Sequence, residues 1–446
     1  MSSVEAKIRV LTSLRDIDRK DWDRLANPGW ELAEGGRLKA DLGAALESDS
    51  EREGRSEKES QFKGLAGSPE SDCGEPEPAK QVSEETSFNP FISHDFLWSL
   101  EESGCALPET GWASCHLALE RADDSYAGVV PAYLKSHSQG EYVFDHGWAD
   151  AFYRAGGEYY PKLQISVPFT PATGRRLLVG NGPDSDAARK ILASGIRQAA
   201  SQFEASSAHL TFLTENEARL LEEDGYLHRT DQQFHWVNEG YKTFDDFLGA
   251  LASRKRKTIR RERRDAQGDG IEIDWVTGTD IKEHHWDTFF RFYMDTGARK
   301  WGTPYLNREA FSLIGERMAE RILLIFARRG TEIIAGALNF IGSDTLYGRY
   351  WGTTEDLPFL HFEVCYYQAI EFAIQTRLRL VEAGAQGAHK LARGYLPVTT
   401  HSAHHIVHPG LRNAVAAYLD QEREAVAEES ELLRQMAPFK RDRNAR

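Results

Sequence analysis

One order of elements, strand, strand, strand, helix, strand, occurs twice in this 446-residue chain, and it limits the fold more than any single motif does. In the first half, Ser114–Arg121 and Ala127–Lys135 read as neighbouring strands around an Asp-Asp-Ser turn. Leu163–Phe169 follows as a third strand, Asp186–Phe203 as a helix and Ala208–Leu213 as a short apolar strand. In the second half, Ile322–Arg328 and Glu332–Ile341 pair around Arg-Gly-Thr, followed by Thr345–Trp351, the helix Phe362–Gln375 and the strand Leu378–Glu382. An antiparallel meander that returns through a helix gives a parallel strand, so each half is expected to build a mixed sheet. Where the third strand parts from the strand after the helix, a cleft opens. Backbone N–H groups there can bind an acyl carbonyl, and the helix N-terminus can face a donor phosphate.

Two stretches break this pattern. Residues 31–87 hold 15 acidic and 7 basic residues, so they supply -8 of the net charge of -15. Their Gly, Ser, Pro and Glu bury too little apolar surface to offset the entropy of ordering, so an acidic disordered insertion is expected. The preceding segment, Arg9–Trp22, has enough apolar residues to pair with the chain beyond Phe88. Between the halves, a long helix is expected over roughly Thr243–Ala266. Phe244, Phe247, Leu248 and Leu251 have core spacing, whereas residues 254–264 carry eight cations against one acid, Glu262. The resulting division is 1–30 as the start of the first domain, 31–87 the insertion, 88–240 the first domain, 241–420 the second domain and 421–446 a charged tail.

Several classes are disfavoured. No run of about 18 apolar residues suits a transmembrane helix, and Met1–Val10 has no secretory h-region, so a soluble cytoplasmic protein is expected. Cys73, Cys105, Cys115 and Cys365 have no CxxC spacing and read as reduced thiols. His401, His404 and His405 lack carboxylates at ligand spacing, HExxH is absent, and no metal is expected. Gly-x-Ser-x-Gly is absent, so nothing supports Ser-His-Asp hydrolysis.

Longer motifs sharpen the reading. They are Asn89-Pro90-Phe91-Ile92-Ser93, Gly140-Glu141-Tyr142-Val143-Phe144-Asp145, Tyr159-Tyr160-Pro161-Lys162-Leu163, and Pro168-Phe169-Thr170-Pro171 with Gly174-Arg175-Arg176. The second half adds Arg254-Lys255-Arg256-Lys257, Leu346-Tyr347-Gly348-Arg349-Tyr350-Trp351-Gly352, Leu360-His361-Phe362-Glu363 and Gly387-Ala388-His389-Lys390. From Phe88 to about Tyr418 the chain resembles the FemAB-like N-acyltransferases of the GNAT superfamily. The resemblance implies an α/β (α+β) fold of two tandem GNAT-like domains with mixed central sheets. It also implies transfer of an acyl or aminoacyl group to an amine acceptor, in cell-envelope or peptidoglycan-related metabolism. The donor it implies is a co-substrate, aminoacyl-tRNA or acyl-CoA, with no tightly bound cofactor. The chain departs from the usual GNAT pyrophosphate loop. Arg176-Leu-Leu-Val-Gly180-Asn-Gly182 has one residue too many, and Glu355–His361 has no such loop. That weakens acyl-CoA as donor.

N-acyl transfer needs a base for the amine, donors for the oxyanion and charge neutralisation at the leaving group. His361 with Glu363, at the strand–helix junction, or His389 with Lys390, after the closing strand, can supply the base. Lys390 can also stabilise negative charge. Arg349 and Trp351 in the aromatic strand, and Glu141, Asp145 and Lys162 in the first half, are candidates for substrate binding. The bland alternatives are a first-turn helix acid, a solvated loop and a surface salt bridge. On the basic helix, Arg256, Lys257, Arg260, Arg261 and Arg264 make a strip wide enough for an RNA backbone. The alternatives are pairing with acids of the same protein, a CoA phosphate, or a tRNA- or nucleic-acid-binding protein with a degenerate active site.

Overall fold

The computed structural model describes residues 6–40, 87–268, 270–300, 304–384 and 387–440. In the first half, β1 (Lys7–Leu11) is followed by a hairpin of β2 (Trp30–Leu32) and β3 (Leu38–Ala40). Then come β4 (Trp112–Ser114), β5 (His116–Glu120), β6 (Tyr126–Val130) and β7 (Ala132–Lys135). β8 (Lys162–Ile165), β9 (Leu178–Val179), the helix Ser185–Gln202 and β10 (Ser207–Leu213) complete the first repeat. β11 (Leu227–Val237) and β12 (Ile271–Thr277) lead to the second. This contains β13 (Ile322–Arg329), β14 (Glu332–Ile341), β15 (Thr345–Thr353), a helix from Leu360 to Gln375 and β16 (Leu380–Glu382). β17 (Leu396–Ile406) and the helix Pro409–Gln435 come last.

Each half has the expected order of strands and helix, and both contribute to one mixed sheet. Its eleven strands run β12-β13-β14-β15-β16-β11-β17-β10-β8-β7-β4. Two neighbouring pairs are parallel, β8 with β10 and β15 with β16, and each is bridged by a helix. β11 and β17 join the halves: they pair with each other from Leu227↔His404 to His235↔Leu396, while β16 flanks β11 and β10 flanks β17. A strand late in the chain therefore completes the sheet of the first half.

The first strand pair is bent. Cys115 separates β4 from β5 and Pro131 separates β6 from β7, so each strand crosses from the eleven-stranded sheet into a second sheet, β1-β5-β6-β9. Proline removes a ladder donor, which suits it to such a corner. The pairing expected of Arg9–Trp22 is made by β1, which lies antiparallel to β5.

Two boundaries differ from the sequence reading. Residues 31–40, expected to be disordered, continue the hairpin of β2 and β3. Leu32 is buried, and Gly36 (φ 84°) backs onto Met318 so closely that a Cβ would lie 2.8 Å from its Cα. The rest of the insertion, residues 41–86, and the tail 441–446 lie outside the described residues. The long helix is also two helices, Phe244–Ala250 and Ser253–Ala266. Leu251 and Ala252 between them are extended. Leu251 is buried and bridges Phe439, and the Ala252 N–H donates to Pro438 O at 2.9 Å, so tertiary pairing overrides local propensity.

Cross-strand partners share a sheet face, which separates two environments. Leu163, Ile165, Ala208, Leu210 and Ala403 enter the core of the first half. On the same face, Phe234, Trp236, Leu346 and Val381 enter that of the second. The opposite face carries Lys162, Gln164, His209, His404, Gln233, His235 and Glu382, all buried. A third core, including Phe91, Phe96, Trp286, Phe311 and Phe340, draws on both halves.

Candidate active site

β15 and β16 stay paired only from Thr345↔Leu380 to Tyr347↔Glu382, after which β15 continues to Thr353 paired with β14 on its other side. The opening between them is the cleft expected of this topology. A β-bulge sits at its edge: Leu338 faces Tyr350 and Asn339 faces Gly348, leaving Arg349 unopposed. Bulges re-aim side chains, and here Arg349 enters the interior.

The Arg349 guanidinium is buried and sparsely bonded. One terminal nitrogen donates to Gly348 O at 2.8 Å, and the other lies 3.5 Å from Glu382 Oε2. Its Cζ lies 4.6 Å from the Phe91 ring centre, and Nε has no hydrogen-bond partner among the described residues. Burial lowers its pKa, with Glu382 opposing. Arg349 is the charged residue of a narrow cavity otherwise lined by groups such as Phe96, Phe169, Trp286, Phe311 and Phe340. Behind Glu382, His235 Nε2 is 3.9 Å from Oε1 and 3.1 Å from Gln233 Oε1. Burial, with Arg349, Arg379 and Lys390 nearby, brings His235 down to about 3, so it is neutral.

Trp351, His361, His389 and Lys390 lie near one another on the segments that flank this opening, with Trp351 packed on the second-half core and Arg349 on the core that contains Phe91. Ring centres lie 4.7 Å apart for Trp351 and His361 and 6.2 Å for His361 and His389. His389 Nε2 is 3.0 Å from the Tyr366 hydroxyl. Lys390 Nζ donates to Ala383 O (2.7 Å) and Gly384 O (3.1 Å), and burial brings its pKa down to about 8. Arg393 lies 3.4 Å over the Phe362 ring and 2.8 Å from Glu262.

Glu363 faces away from this group. It starts a π-helical turn, Glu363–Tyr367, and its buried carboxylate accepts from Arg263, Gln267 and Gln368. These partners tie together the basic helix and the helix after β15.

In the first half, Glu141, Asp145 and Lys162 converge. Lys162 Nζ is 2.7 Å from Glu141 Oε2 and 2.6 Å from Ser138 Oγ, and it also contacts Asp145. Burial works against the Lys162 ammonium, but the two carboxylates outweigh it and raise its pKa. Lys135 stacks 3.4 Å over Trp112, and burial brings it down to about 7. Asp145 accepts from Tyr159 at 2.8 Å. Beyond it, His209 Nδ1 lies 2.7 Å from His404 Nδ1, and His401 pairs with His228. No group of three or more potential metal ligands occurs among the described residues.

The cations of the helix Ser253–Ala266 differ in their engagement. Arg260 pairs with Asp245 (2.8 Å), Arg264 with Asp265 (2.9 Å) and Arg263 with Glu363 and Glu371. Lys257 and Arg261 are exposed and Arg256 is half-buried. Sequence reasoning missed Glu382, His235 and Gln233, which lie in strands with polar residues buried on one face. The alternation of Gln233 and His235 with Phe234 and Trp236 was the available signal.

A family profile named FemAB-like, described as peptidoglycan biosynthesis/recognition, matches residues 77–441. Among solved structures, FemX is similar at 12% identity and a TM-score of 0.46, over 72% of this chain and 93% of that one. L-PGS from Bacillus licheniformis is similar at 9% identity and 0.45, over 75% and 98%. A tandem GNAT protein from the clavulanic acid biosynthesis pathway is similar at 11% identity and 0.36, over 71% and 88%. No curated protein matches the chain.

Proposed function

The chain belongs to the FemAB-like family, and on that premise we propose that it transfers an acyl or aminoacyl group to an amine acceptor in peptidoglycan-related metabolism of the cell envelope. The observation that carries this reading is Arg349, buried at a bulge where β15 and β16 part, with Nε and one terminal nitrogen lacking a hydrogen-bond acceptor among the described residues. An acyl carbonyl in that gap becomes an oxyanion when the amine attacks, and fixed donors in a buried site stabilise it far more than water does. Lys390 and His389, on the segment after β16, are our candidates for neutralising the leaving group and accepting the amine proton.

We favour aminoacyl-tRNA as donor. The loop between β15 and its helix, residues 354–359, has no Lys or Arg to meet a CoA pyrophosphate, and its Glu355 is paired with Arg329, while Lys257 and Arg261 are exposed on the basic helix. Acyl-CoA is the alternative donor, and a tRNA-binding protein without activity is the alternative function. Both donors are cytoplasmic metabolites, so the reaction is assigned to the cytoplasm. No helix among the described residues is long and apolar enough to cross a membrane. The test is to incubate the purified chain with charged tRNA or acetyl-CoA and an amine-bearing muropeptide precursor, and to follow product mass. A mass increase by one aminoacyl group supports the favoured reading, and one by an acetyl group supports the alternative donor. Retained tRNA binding with no product from either donor overturns the enzyme reading.

A further inference from the structure

Two cavities meet at one ion pair. The narrow apolar cavity that holds Arg349 lies on one side. The other, of about 50 Å³, sits where the halves join, lined by Asn89, Thr173 and Gly174 from the first half and Thr345, Tyr347 and Glu382 from the second. Tyr347↔Glu382 is the last register pair before β15 and β16 part, so Glu382 ends its strand at the start of the opening. Its Oε2 stands 3.5 Å from an Arg349 terminal nitrogen. Phe91 and Tyr347, with ring centres 5.1 Å apart, wall this pair: Arg349 Cζ lies 4.6 Å from the first and 5.4 Å from the second. The second cavity suits a small cation. It has room for a few water-sized groups, such as the end of an aliphatic amine, and none for a ring. Two guanidiniums also line it, and both are engaged: Arg379 is held by Asp344 at 3.0 Å, and Arg175 donates to the carbonyls of Val179 at 3.0 Å and Leu25 at 3.4 Å. Glu382 is buried, where a carboxylate attracts a cation more strongly than it does in water.

We propose that Glu382 is a catalytic residue: its carboxylate binds the acceptor's ammonium in the second cavity and takes a proton from it, while Arg349 binds the acyl oxygen on the other side of the pair. This rests on the acyl-transfer reading. It moves the proton acceptor from His389, whose ring stacks on Phe362 beside the second-half core, to a group 3.5 Å from the oxyanion donor. Glu382 takes one proton from the ammonium, and the freed nitrogen lone pair forms the C–N bond while the carbonyl π pair moves onto oxygen beside Arg349. On collapse the carbonyl re-forms and the ester C–O bond breaks. Its electron pair leaves with the oxygen, which takes up the second proton lost by nitrogen. Glu382 then returns its proton to water. The ion pair thus has a purpose beyond stability: it sets an amine-binding carboxylate against an oxyanion-binding guanidinium at the junction of two cavities.

Two measurements test this. In the transfer assay, Glu382→Gln is expected to lower kcat by about 100-fold and to raise the KM for the amine but not for the acyl donor. Glu382→Asp, which keeps a carboxylate near Arg349, should restore part of kcat. The second measurement does not depend on turnover. Fluorotyrosine placed at 347, in the wall of the second cavity, is followed by fluorine NMR during titration with ethylammonium chloride. A saturable shift is expected that ethanol, of similar size and uncharged, does not produce and that disappears in Glu382→Gln. Wild-type kcat in Glu382→Gln, no saturable shift with ethylammonium, or an equal shift with ethanol overturns the proposal. If Glu382→Gln does not fold, the contrast between ethylammonium and ethanol in the wild-type protein decides. A saturable, Glu382-dependent shift in a protein that transfers nothing from either donor upholds the amine site and removes the acyl-transfer reading instead.

Discussion

Arg263 and Glu363 form a two-pronged ion pair, with Nε 3.1 Å from Oε2 and a terminal nitrogen 3.0 Å from Oε1, and the Glu363 side chain is fully buried. The pair joins the basic helix to the π-helical turn after β15. Replacing Glu363 leaves Arg263 with Glu371 as its carboxylate partner and removes the charge-assisted bonds at the π-helical turn. We expect Glu363→Gln to destabilise the fold by about 2 kcal/mol, read as a lower urea midpoint with an unchanged slope. The double replacement Arg263→Met/Glu363→Met should recover most of that loss.

Arg349→Lys keeps a cation near Glu382 but removes the planar N–H fork. We expect turnover to fall by about 100-fold while the urea midpoint changes little. Equal losses of turnover and stability would make Arg349 a structural residue.

On the basic helix, engagement separates the cations. Lys257→Ala/Arg261→Ala should weaken tRNA binding and flatten its salt dependence by about one log unit per lost phosphate contact. Arg260, held at 2.8 Å by Asp245, should matter less. Filter binding at low and physiological salt measures both, with wild-type affinity falling on the order of 10-fold or more across that range.

Acid should destabilise the protein through its buried imidazoles. Burial, with Lys162 acting on His209 and Arg349 on His235, brings both histidines down to about 3. Their unfolded values lie near about 6.5. Between those limits the unfolded chain binds more protons than the folded one, so stability rises with pH and falls as pH drops from 6.5 towards 3. Urea midpoints at steps from pH 7 to pH 4 should show this slope, and His235→Gln should flatten it.

Much of the fold was legible because its signals are local. The expected strand Glu332–Ile341 matches β14, and the helix expected over Asp186–Phe203 is displaced by one residue from Ser185–Gln202. Alternation and helical period depend on neighbours a few residues apart, so a single sequence displays them. β11 and β17 escaped notice because their polar residues are buried: Gln233, His235, Ser402 and His404 look like solvent-facing positions until strands far apart in sequence cover them.

The site divides along the same line. Arg349 stood out as a charge inside an aromatic strand, and Glu141, Asp145 and Lys162 stood out within their motifs. Glu382 did not, since nothing in its neighbours marks a pairing partner. The amino-acid order by itself determined the two repeats, the helix that bridges each parallel pair and the positive charge of the helix Ser253–Ala266. Only the tertiary structure decided that one sheet unites the halves and that Glu363 is bound by Arg263. Both depend on contacts between residues about 100 or more positions apart, whose burial no local pattern encodes.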